Sequence, residues 1–221
     1  MKIMKDIAIF GAGGYGKEIA CLIKRINCVK PTWNIIGFFD DDEALIGQFN
    51  DYGEVLGGMG ILNVWKTPIA VAIAIGSPNL VKTVSERFDN NNIEFPNLID
   101  PTVEFMDREN VRMGKGNIFC LRSTISCNVK IGDFNLFNVG VGIGHDAMFG
   151  SYNVVMPNVN ISGGVIIGDC NLFGVKSTIL QYLKVGSNVR IGACSLVMRN
   201  AKKEGLYFGI PANRMNQYID E

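Results

Sequence analysis

The sequence predicts an α/β domain over residues 1–100 and an all-β parallel β-helix over residues 101–221. Three observations predict this arrangement. Strand and helix patterns alternate through the first hundred residues, a glycine-rich loop follows the first apolar strand, and apolar residues recur every six positions from residue 113 onward. Because the two halves follow different periods, we expect a domain boundary close to residue 100.

The first half contains short apolar strands separated by amphipathic helices. Strands are expected over 6–10, 35–39 and 69–75, and helices over about 15–26 and 79–88. The third strand is a continuous apolar run, which is typical of a parallel strand buried on both faces. This alternation predicts a small doubly wound sheet of the Rossmann-like type.

The second half repeats every six residues, a period that neither an α-helix nor an ordinary strand requires but that a hexapeptide β-helix does. The residue after the repeated apolar position is often glycine, which we interpret as a turn residue whose backbone angles a Cβ would forbid. Three hexapeptides would form one triangular coil, with the apolar side chains stacked along its axis. These side chains are Met113, Phe119, Ile125, Ile131, Phe137, Ile143, Phe149, Val155, Ile161, Ile167, Phe173, Ile179, Val185, Ile191 and Val197.

Composition limits the classes of partner. Lys+Arg and Asp+Glu both number 21, and this balance argues against a nucleic-acid partner held by bulk charge. The chain has six cysteines without a CxxC pair and one histidine, so a zinc site is not expected. No apolar run reaches the ~18 residues of a membrane span, and the start does not have the pattern of a secretory signal peptide. We therefore expect a cytoplasmic protein with reduced cysteines.

The glycine loop GAGGYG at residues 11–16 fits G-x-G-x-x-G between a strand and a helix. Asp40 follows at the end of the second predicted strand, where an acidic residue binds ribose in dinucleotide sites. The loop alone predicts a phosphate held at a helix N-terminus. A loop kept only for a tight turn is the alternative.

Several motifs together resemble the sugar O-/N-acetyltransferases, a family of left-handed β-helix enzymes that includes the sialic acid O-acetyltransferases and the bacillosamine-pathway N-acetyltransferase. The motifs are GAGGYGK, GFFDDD, AIGS, an HD pair within the hexapeptides, and the closing FGIPANRM. The resemblance covers almost the whole chain. It implies a left-handed β-helix, a homotrimer, acetyl-CoA as the donor, a sugar or nucleotide-sugar as the acceptor, and no metal.

The resemblance also implies an acceptor site. It places a nucleotide-sugar at the glycine loop and the residues near it, and it places Asn138 beside the acceptor sugar. Many relatives have histidine where this chain has Tyr15, which leaves that contact open. The implied acceptor residues are Gly11, Gly13, Gly14, Tyr15, Asp40, Asp41, Ser77 and Asn138.

His145 is the only histidine, and Asp146 follows it directly. Its position in the hexapeptide is not axial, so it does not fill the core. An imidazole suits the removal of a proton from an attacking amine or hydroxyl, and a carboxylate on its other nitrogen would fix the tautomer. The pair also matches the catalytic histidine motif of the family, which implies that His145 is the general base.

The resemblance further implies donor contacts with acetyl-CoA. These residues are Gly163, whose amide aligns with the family's oxyanion donor, and Gly192, Ala193, Lys202 and Pro211. Relatives often carry a second histidine nine residues after the first, where this chain has Val154. Either the contact with the thioester differs here or the affinity for the donor is lower.

Several functions stay open on the sequence. We expect N-acetylation of a UDP-linked 4-amino sugar for a surface glycan, with O-acetylation of a sugar hydroxyl as the alternative. A non-catalytic nucleotide-sugar-binding protein would keep the same loop and coils. An NAD(P) oxidoreductase would need a further substrate domain, and a β-helical carbonic anhydrase would need three histidines.

Overall fold

The structure is a computed structural model, and it describes residues 4–215. The chain forms two compact units. The N-terminal unit comprises Met1–Gly76 and Leu80–Pro101, and the β-helix unit comprises Ser77–Asn79 and Thr102–Glu221.

The N-terminal unit contains a six-stranded sheet in the order β3-β4-β2-β1-β5-β6, in which every pair except β3–β4 is parallel. The strands of this sheet are β1 Lys5–Phe10, β2 Trp33–Phe39, β3 Phe49–Asn50, β4 Gly53–Gly57, β5 Ile69–Ile73 and β6 Ile93–Glu94. A further short strand of the unit, β7 Leu98–Ile99, lies outside this sheet. Its helices are α1 Gly14–Val29, α2 Met59–Asn63 and α3 Pro78–Glu86, with a 3-10 turn at Glu43–Leu45.

The predicted α/β half is confirmed, with small differences at the ends of the elements. Helix α1 extends three residues beyond the predicted end, because Asn27 caps the turn that follows by accepting from the amides of Thr32 and Trp33. Strand β5 ends at Ile73, two residues early, because the chain turns there toward Gly76. Arg25 of α1 also donates two hydrogen bonds to the buried carboxylate of Asp100, of 2.5 and 3.1 Å, and these raise the pKa of the guanidinium.

The β-helix unit consists of three sheets that follow one another around each coil. Their strands pair in parallel except β24 and β25, which are antiparallel. Sheet I contains β8 Glu104–Phe105, β11 Thr124–Ile125, β14 Gly142–Ile143, β17 Asn160–Ile161, β20 Thr178–Ile179 and β23 Leu196–Val197. Sheet II contains β9 Arg112–Met113, β12 Lys130–Ile131, β15 Met148–Phe149, β18 Ile166–Ile167 and β21 Lys184–Val185. Sheet III contains β10 Ile118–Phe119, β13 Leu136–Phe137, β16 Val154–Val155, β19 Leu172–Phe173, β22 Val189–Ile191, β24 Gly205–Gly209 and β25 Ala212–Arg214.

The apolar position of each hexapeptide forms the core, as predicted. Every one of these side chains from Phe119 to Val197 is buried, while Met113 on the first coil is half-buried. The rings of Phe119 and Phe137 stack with centroids 4.7 Å apart, and Phe149 meets Phe137 edge-on at 5.2 Å. Full burial of such a side chain contributes roughly 1.5–3 kcal/mol before entropy is counted.

The predicted role of the repeated glycines, as turn residues with backbone angles that a Cβ would forbid, is wrong. None of the glycines that directly follow the apolar position has a positive φ; the residue two further along adopts the left-handed conformation in every hexapeptide from Gly116 to Cys194, glycine or not. The repeated glycines are needed for space, since a Cβ at Gly132 would lie 2.6 Å from the carbonyl oxygen of Gly150 in the next coil. Steric contact between coils, rather than backbone angle, therefore selects glycine there.

A buried asparagine ladder runs along the corner between sheets II and III, and the sequence analysis missed it. The rungs are Asn117, Asn135, Asn153 and Asn171, each at most 1% exposed and 18 residues from the next. The side-chain oxygen of Asn135 accepts from both the backbone and side-chain nitrogens of Asn153, at 2.9 and 2.8 Å. Because each rung satisfies the polar groups of the next, the ladder fixes the register at 18 residues per coil.

All six cysteines are free thiols. Among residues 4–215, no helix has the length and apolar character needed to cross a membrane. The same residues contain no group of three or more His, Cys, Asp or Glu side chains arranged to hold a metal ion.

Candidate active site

The only histidine of the chain, His145, lies in the turn between β14 and β15. This turn forms a corner between sheets I and II, and we call it the His145 corner. The same corner is built one coil earlier from 126–129, and in later coils from 162–165 and 180–183. Asp146 occupies the left-handed position with φ 57°. The side chains of His145 and Asp146 are 50% and 56% exposed, so both are open to a ligand.

His145 and Asp146 are neighbours in the chain and also in contact. Nδ1 of His145 lies 2.7 Å from Oδ2 of Asp146. An ionised carboxylate only accepts hydrogen bonds, so Nδ1 carries the proton and Nε2 of the neutral ring keeps its lone pair. Two hydrogen bonds lower the pKa of Asp146, of which the one from His145 has the larger effect and the one from Asn128 the smaller. The carboxylate is therefore ionised at neutral pH, and the pairing weakens only as the pH falls through this lowered pKa.

The imidazole of His145 packs against the backbone of Gly163, which lies one coil later. A Cβ built on Gly163 would be 2.4 Å from Nε2 and 2.6 Å from Cε1 of His145. Any larger residue would therefore push the ring away. The amide of Gly163 makes no hydrogen bond within the described part of the chain. Its nitrogen packs against Gly144, because a Cβ built on Gly144 would lie 2.5 Å from it. The ring nitrogen and a free N–H donor thus lie on one corner.

An open cavity of about 420 Å³ adjoins Asp146 on the sheet II side, and its walls are Asn110, Arg112, Asn128, Lys130, Asp146 and Met148. The amide of Asn128 donates to Oδ1 of Asp146 over 3.2 Å. On the other side, the exposed ring of Tyr182 lies over Gly164. Neither Asn128 nor Tyr182 was predicted, although stepping 18 residues from Asp146 finds both.

The remaining predicted residues of this unit lie on other corners of the same prism. Asn138 is half-buried on the corner between sheets III and I, and its side-chain oxygen accepts from the amide of Val139 at 2.7 Å. We call this the Asn138 corner. Gly192 and Ala193 lie on it three coils later in the same column of turns, as 192–195 follows β22.

Pro211 and Lys202 belong to the closing segment of the β-helix unit. Pro211 follows a cis peptide bond between β24 and β25, and β24 is tied to the Asn138 corner by the 3.1 Å bond from the amide of Gly209 to Ser195. Lys202 is exposed, and its backbone oxygen packs over Gly186 on the corner between sheets II and III. Of the predicted donor residues, one chain therefore places only Gly163 on the corner of His145, and the other four lie elsewhere.

The glycine loop of the N-terminal unit contains glycines of two kinds. A Cβ on Gly11 would lie 2.6 Å from the oxygen of Ala74, and one on Gly16 would lie 2.1 Å from the oxygen of Gly11. Gly13, the N-cap of α1, and Gly14, its first residue, have open space where a Cβ would project. Close contacts within the unit therefore require glycine at positions 11 and 16, whereas no such contact requires it at positions 13 and 14. The exposed N-terminus of α1 is thus free for an anion.

The two acidic residues predicted for this site have partners inside the unit. Asp40 accepts from the amide of Ala12 at 2.9 Å, so it braces the loop. Both oxygens of Asp41 are used, at 2.9 Å from the amide of Met59 and 2.9 Å from Nη1 of Arg87. Asp40 thus adjoins the loop directly, while Asp41 is held against α2.

The last two residues predicted for the acceptor site are Tyr15 and Ser77. Tyr15 is half-buried in the first turn of α1. Ser77 is exposed directly before α3 and belongs to the β-helix unit rather than to the unit of the glycine loop.

Comparison with known proteins gives matches over both units. Residues 6–88 match the PglD N-terminal domain family. The GDP-perosamine N-acetyltransferase of Escherichia coli O157:H7 is 28% identical over 179 residues, which cover 80% of this chain and 79% of that protein. Along most of its length the chain is therefore similar to a sugar N-acetyltransferase.

Solved structures show that the acetyltransferase fold extends along nearly the whole chain. WeeI from Acinetobacter baumannii AYE has a TM-score of 0.85 at 23% identity, covering 96% of this chain and 100% of that one. A mutant perosamine N-acetyltransferase from Caulobacter crescentus, in complex with CoA and GDP-perosamine, has a TM-score of 0.84 at 20% identity, covering 97% and 99%. The predicted fold, an α/β domain followed by a β-helix, is thereby confirmed.

Val154 stands where the resemblance described above led us to expect a second histidine. Its side chain lies in β16 and is 1% exposed, so it is not available to a ligand in one chain. His145 is the only imidazole of the chain, so any base chemistry by a histidine depends on it.

Replacing Gly163 with alanine should impair catalysis more than folding. The added methyl would meet the imidazole at 2.4–2.8 Å, and a displacement of about 1 Å from the reacting geometry can lower kcat about 100-fold. We expect that loss in a CoA-release assay, with a circular dichroism spectrum like that of the wild type. Wild-type kcat in Gly163→Ala would contradict the assigned contact between the ring and Gly163.

Proposed function

We propose that this protein transfers the acetyl group of acetyl-CoA to the amine of a nucleotide-linked 4-amino sugar. The observation that carries the proposal is the arrangement of His145, with Nδ1 held by Asp146 at 2.7 Å and Nε2 lying against Gly163. The relatives named above include a GDP-perosamine N-acetyltransferase and a perosamine enzyme with CoA and GDP-perosamine bound. The UDP-linked acceptor expected from the sequence stays a prediction, since these relatives are named for a GDP-linked sugar.

The chemistry follows from this arrangement. The amine nitrogen attacks the thioester carbonyl while Nε2 of His145 accepts the amine proton, and the resulting imidazolium is stabilised by the ionised Asp146. The carbonyl oxygen becomes an oxyanion, for which the free amide of Gly163 is the proposed donor. When the C–S bond breaks, the CoA thiolate leaves and takes the proton from Nε2. The products are the amide and CoA, and His145 returns to its neutral form.

The glycine loop is the proposed site for the nucleotide part of the acceptor. The open backbone at Gly13 and Gly14 and the unobstructed N-terminus of α1 suit a diphosphate, because amide donors and the helix dipole both favour negative charge. Asp40 beside Ala12 is the proposed partner of a ribose hydroxyl. Both features are independent of His145, so acceptor binding and chemistry can be tested separately.

We further propose that the protein acts as a trimer in the cytoplasm. Asn138, Gly192 and Ala193 share one corner of the prism, while His145 and Gly163 share another. A groove between neighbouring prisms would combine the His145 corner of one copy with the Asn138 corner of the next, which supplies both halves of the predicted site. The six free thiols suit a reducing compartment.

The first test of this function is CoA release with a panel of acceptors, comparing the wild type with His145→Ala. The panel should contain GDP- and UDP-linked 4-amino sugars, UDP-GlcNAc and free sialic acid. We expect turnover with a 4-amino sugar and a loss of about 10³-fold in kcat in the variant, because general base catalysis contributes 10²–10⁴-fold.

The outcomes of that assay separate the candidate functions. Turnover only with a hydroxyl acceptor would replace N-acetylation by O-acetylation. Binding of acetyl-CoA and a nucleotide-sugar without turnover on any acceptor would contradict an enzymatic role and favour a binding protein. Equal turnover by the wild type and His145→Ala would remove the histidine from the mechanism.

The glycine loop gives a second test, in which Gly14→Ala and Gly11→Ala have opposite effects. Gly14 begins α1 in open space, so alanine should leave the melting temperature unchanged or raise it slightly, while its methyl lowers nucleotide-sugar affinity about tenfold. Alanine at Gly11 combines a φ of 111° with a 2.6 Å contact and should destabilise the unit by about 2 kcal/mol.

Isothermal titration with the nucleotide-sugar and thermal melting check both expectations. Gly60→Ala, in the exposed part of α2 and also in open space, is the matched control for a glycine-to-alanine change in a helix. Unchanged affinity in Gly14→Ala would place the nucleotide elsewhere.

A further inference from the structure

We propose that Asn128 is a positioning residue, whose side-chain amide holds Asp146 in the orientation that keeps the proton on Nδ1 of His145. The inference rests on the proposed role of His145 as the base. Nδ2 of Asn128 donates to Oδ1 of Asp146 over 3.2 Å, while Oδ2 of the same carboxylate lies 2.7 Å from Nδ1 of the imidazole. The two oxygens are divided between two partners, so rotation of the carboxylate would break both contacts.

The β-helix register brings these groups together. Asn128 lies one coil before Asp146, and both residues have a φ of 57°, so their side chains leave the corner in the same manner. The amide of Asp146 donates to the oxygen of Cys127 over 3.0 Å, which fixes the distance between the two turns. One coil later the corresponding residue is Gly164, which has no side chain. Among residues 4–215, Asn128 is thus the only side chain other than His145 that hydrogen-bonds Asp146.

An amide suits this task because it donates without adding charge. Asn128 is the second cause of the lowered pKa of Asp146, after His145 itself. The charged side chains that line the cavity with Asp146 are Arg112 and Lys130. In the other turns named above for the His145 corner, the titratable side chains are Cys127 one coil earlier and Tyr182 two coils later.

The test compares Asn128→Gly with Asn188→Gly. Glycine fits the left-handed backbone at both positions, where φ is 57° and 55°, so each variant loses an asparagine side chain without backbone strain. Asn188 is exposed on another corner and serves as the matched control. We expect kcat to fall about tenfold in Asn128→Gly, with the KM for acetyl-CoA unchanged, because the lost hydrogen bond is made to a charged group. The control should keep the wild-type kcat.

A second readout needs no substrate, because the chain has a single histidine whose ring signals are unambiguous in protein prepared without a histidine tag. The ¹⁵N shifts of the neutral ring should show the Nδ1–H tautomer in the wild type and in Asn188→Gly, and a mixture with the Nε2–H tautomer in Asn128→Gly. Asn128→Asp should move the midpoint of the imidazole titration to higher pH by about half a unit, because a second carboxylate favours the imidazolium.

The two readouts distinguish this inference from the proposed function. A wild-type tautomer in Asn128→Gly, together with an unmoved midpoint in Asn128→Asp, would overturn the positioning role whatever the enzyme does. The expected spectral changes without acetyl transfer to any acceptor would keep the positioning role and reject the proposed function.

Discussion

The strict 18-residue coil is the constraint on which the rest of the β-helix unit depends. A residue in the left-handed conformation closes every hexapeptide from Gly116 to Cys194, and the buried asparagine ladder ties each coil to the next. A one-residue slip would break the ladder and move the apolar residues out of the core. Because the register cannot slip, residues 18 apart in sequence lie directly above one another.

The proposed chemistry uses that stacking rather than the sequence neighbourhood alone. Asn128, Asp146 and Gly164 form one column of the His145 corner, and His145 and Gly163 form the column beside it. The imidazole thus has a carboxylate on Nδ1 and bare backbone beneath Nε2. All of these groups come from turns held by the coils, so a largely exposed site acquires a defined geometry without a deep pocket.

The sequence was sufficient for the period, the core and the pairing of histidine with aspartate, because each depends on identity at a fixed spacing. It misled on the repeated glycines, since a contact with the next coil and a left-handed backbone both favour glycine and only coordinates separate them. Asn128 and the asparagine ladder make their side-chain hydrogen bonds to residues 18 positions away. A hydrophobic period of six residues does not single out such pairs. The internal partners of Asp41 depend on tertiary contacts with Met59 and Arg87, which no local pattern reveals.

The central claim is that the single imidazole is the base, and one pair of curves tests it most directly. The pH dependence of kcat/KM reports the ionisation of the free enzyme, and the NMR titration of the only histidine reports His145 itself. The account predicts that the acidic limb of the rate profile and the imidazole titration have the same midpoint. An acidic limb displaced by about a pH unit or more from that titration, a difference well outside the precision of either curve, would contradict it.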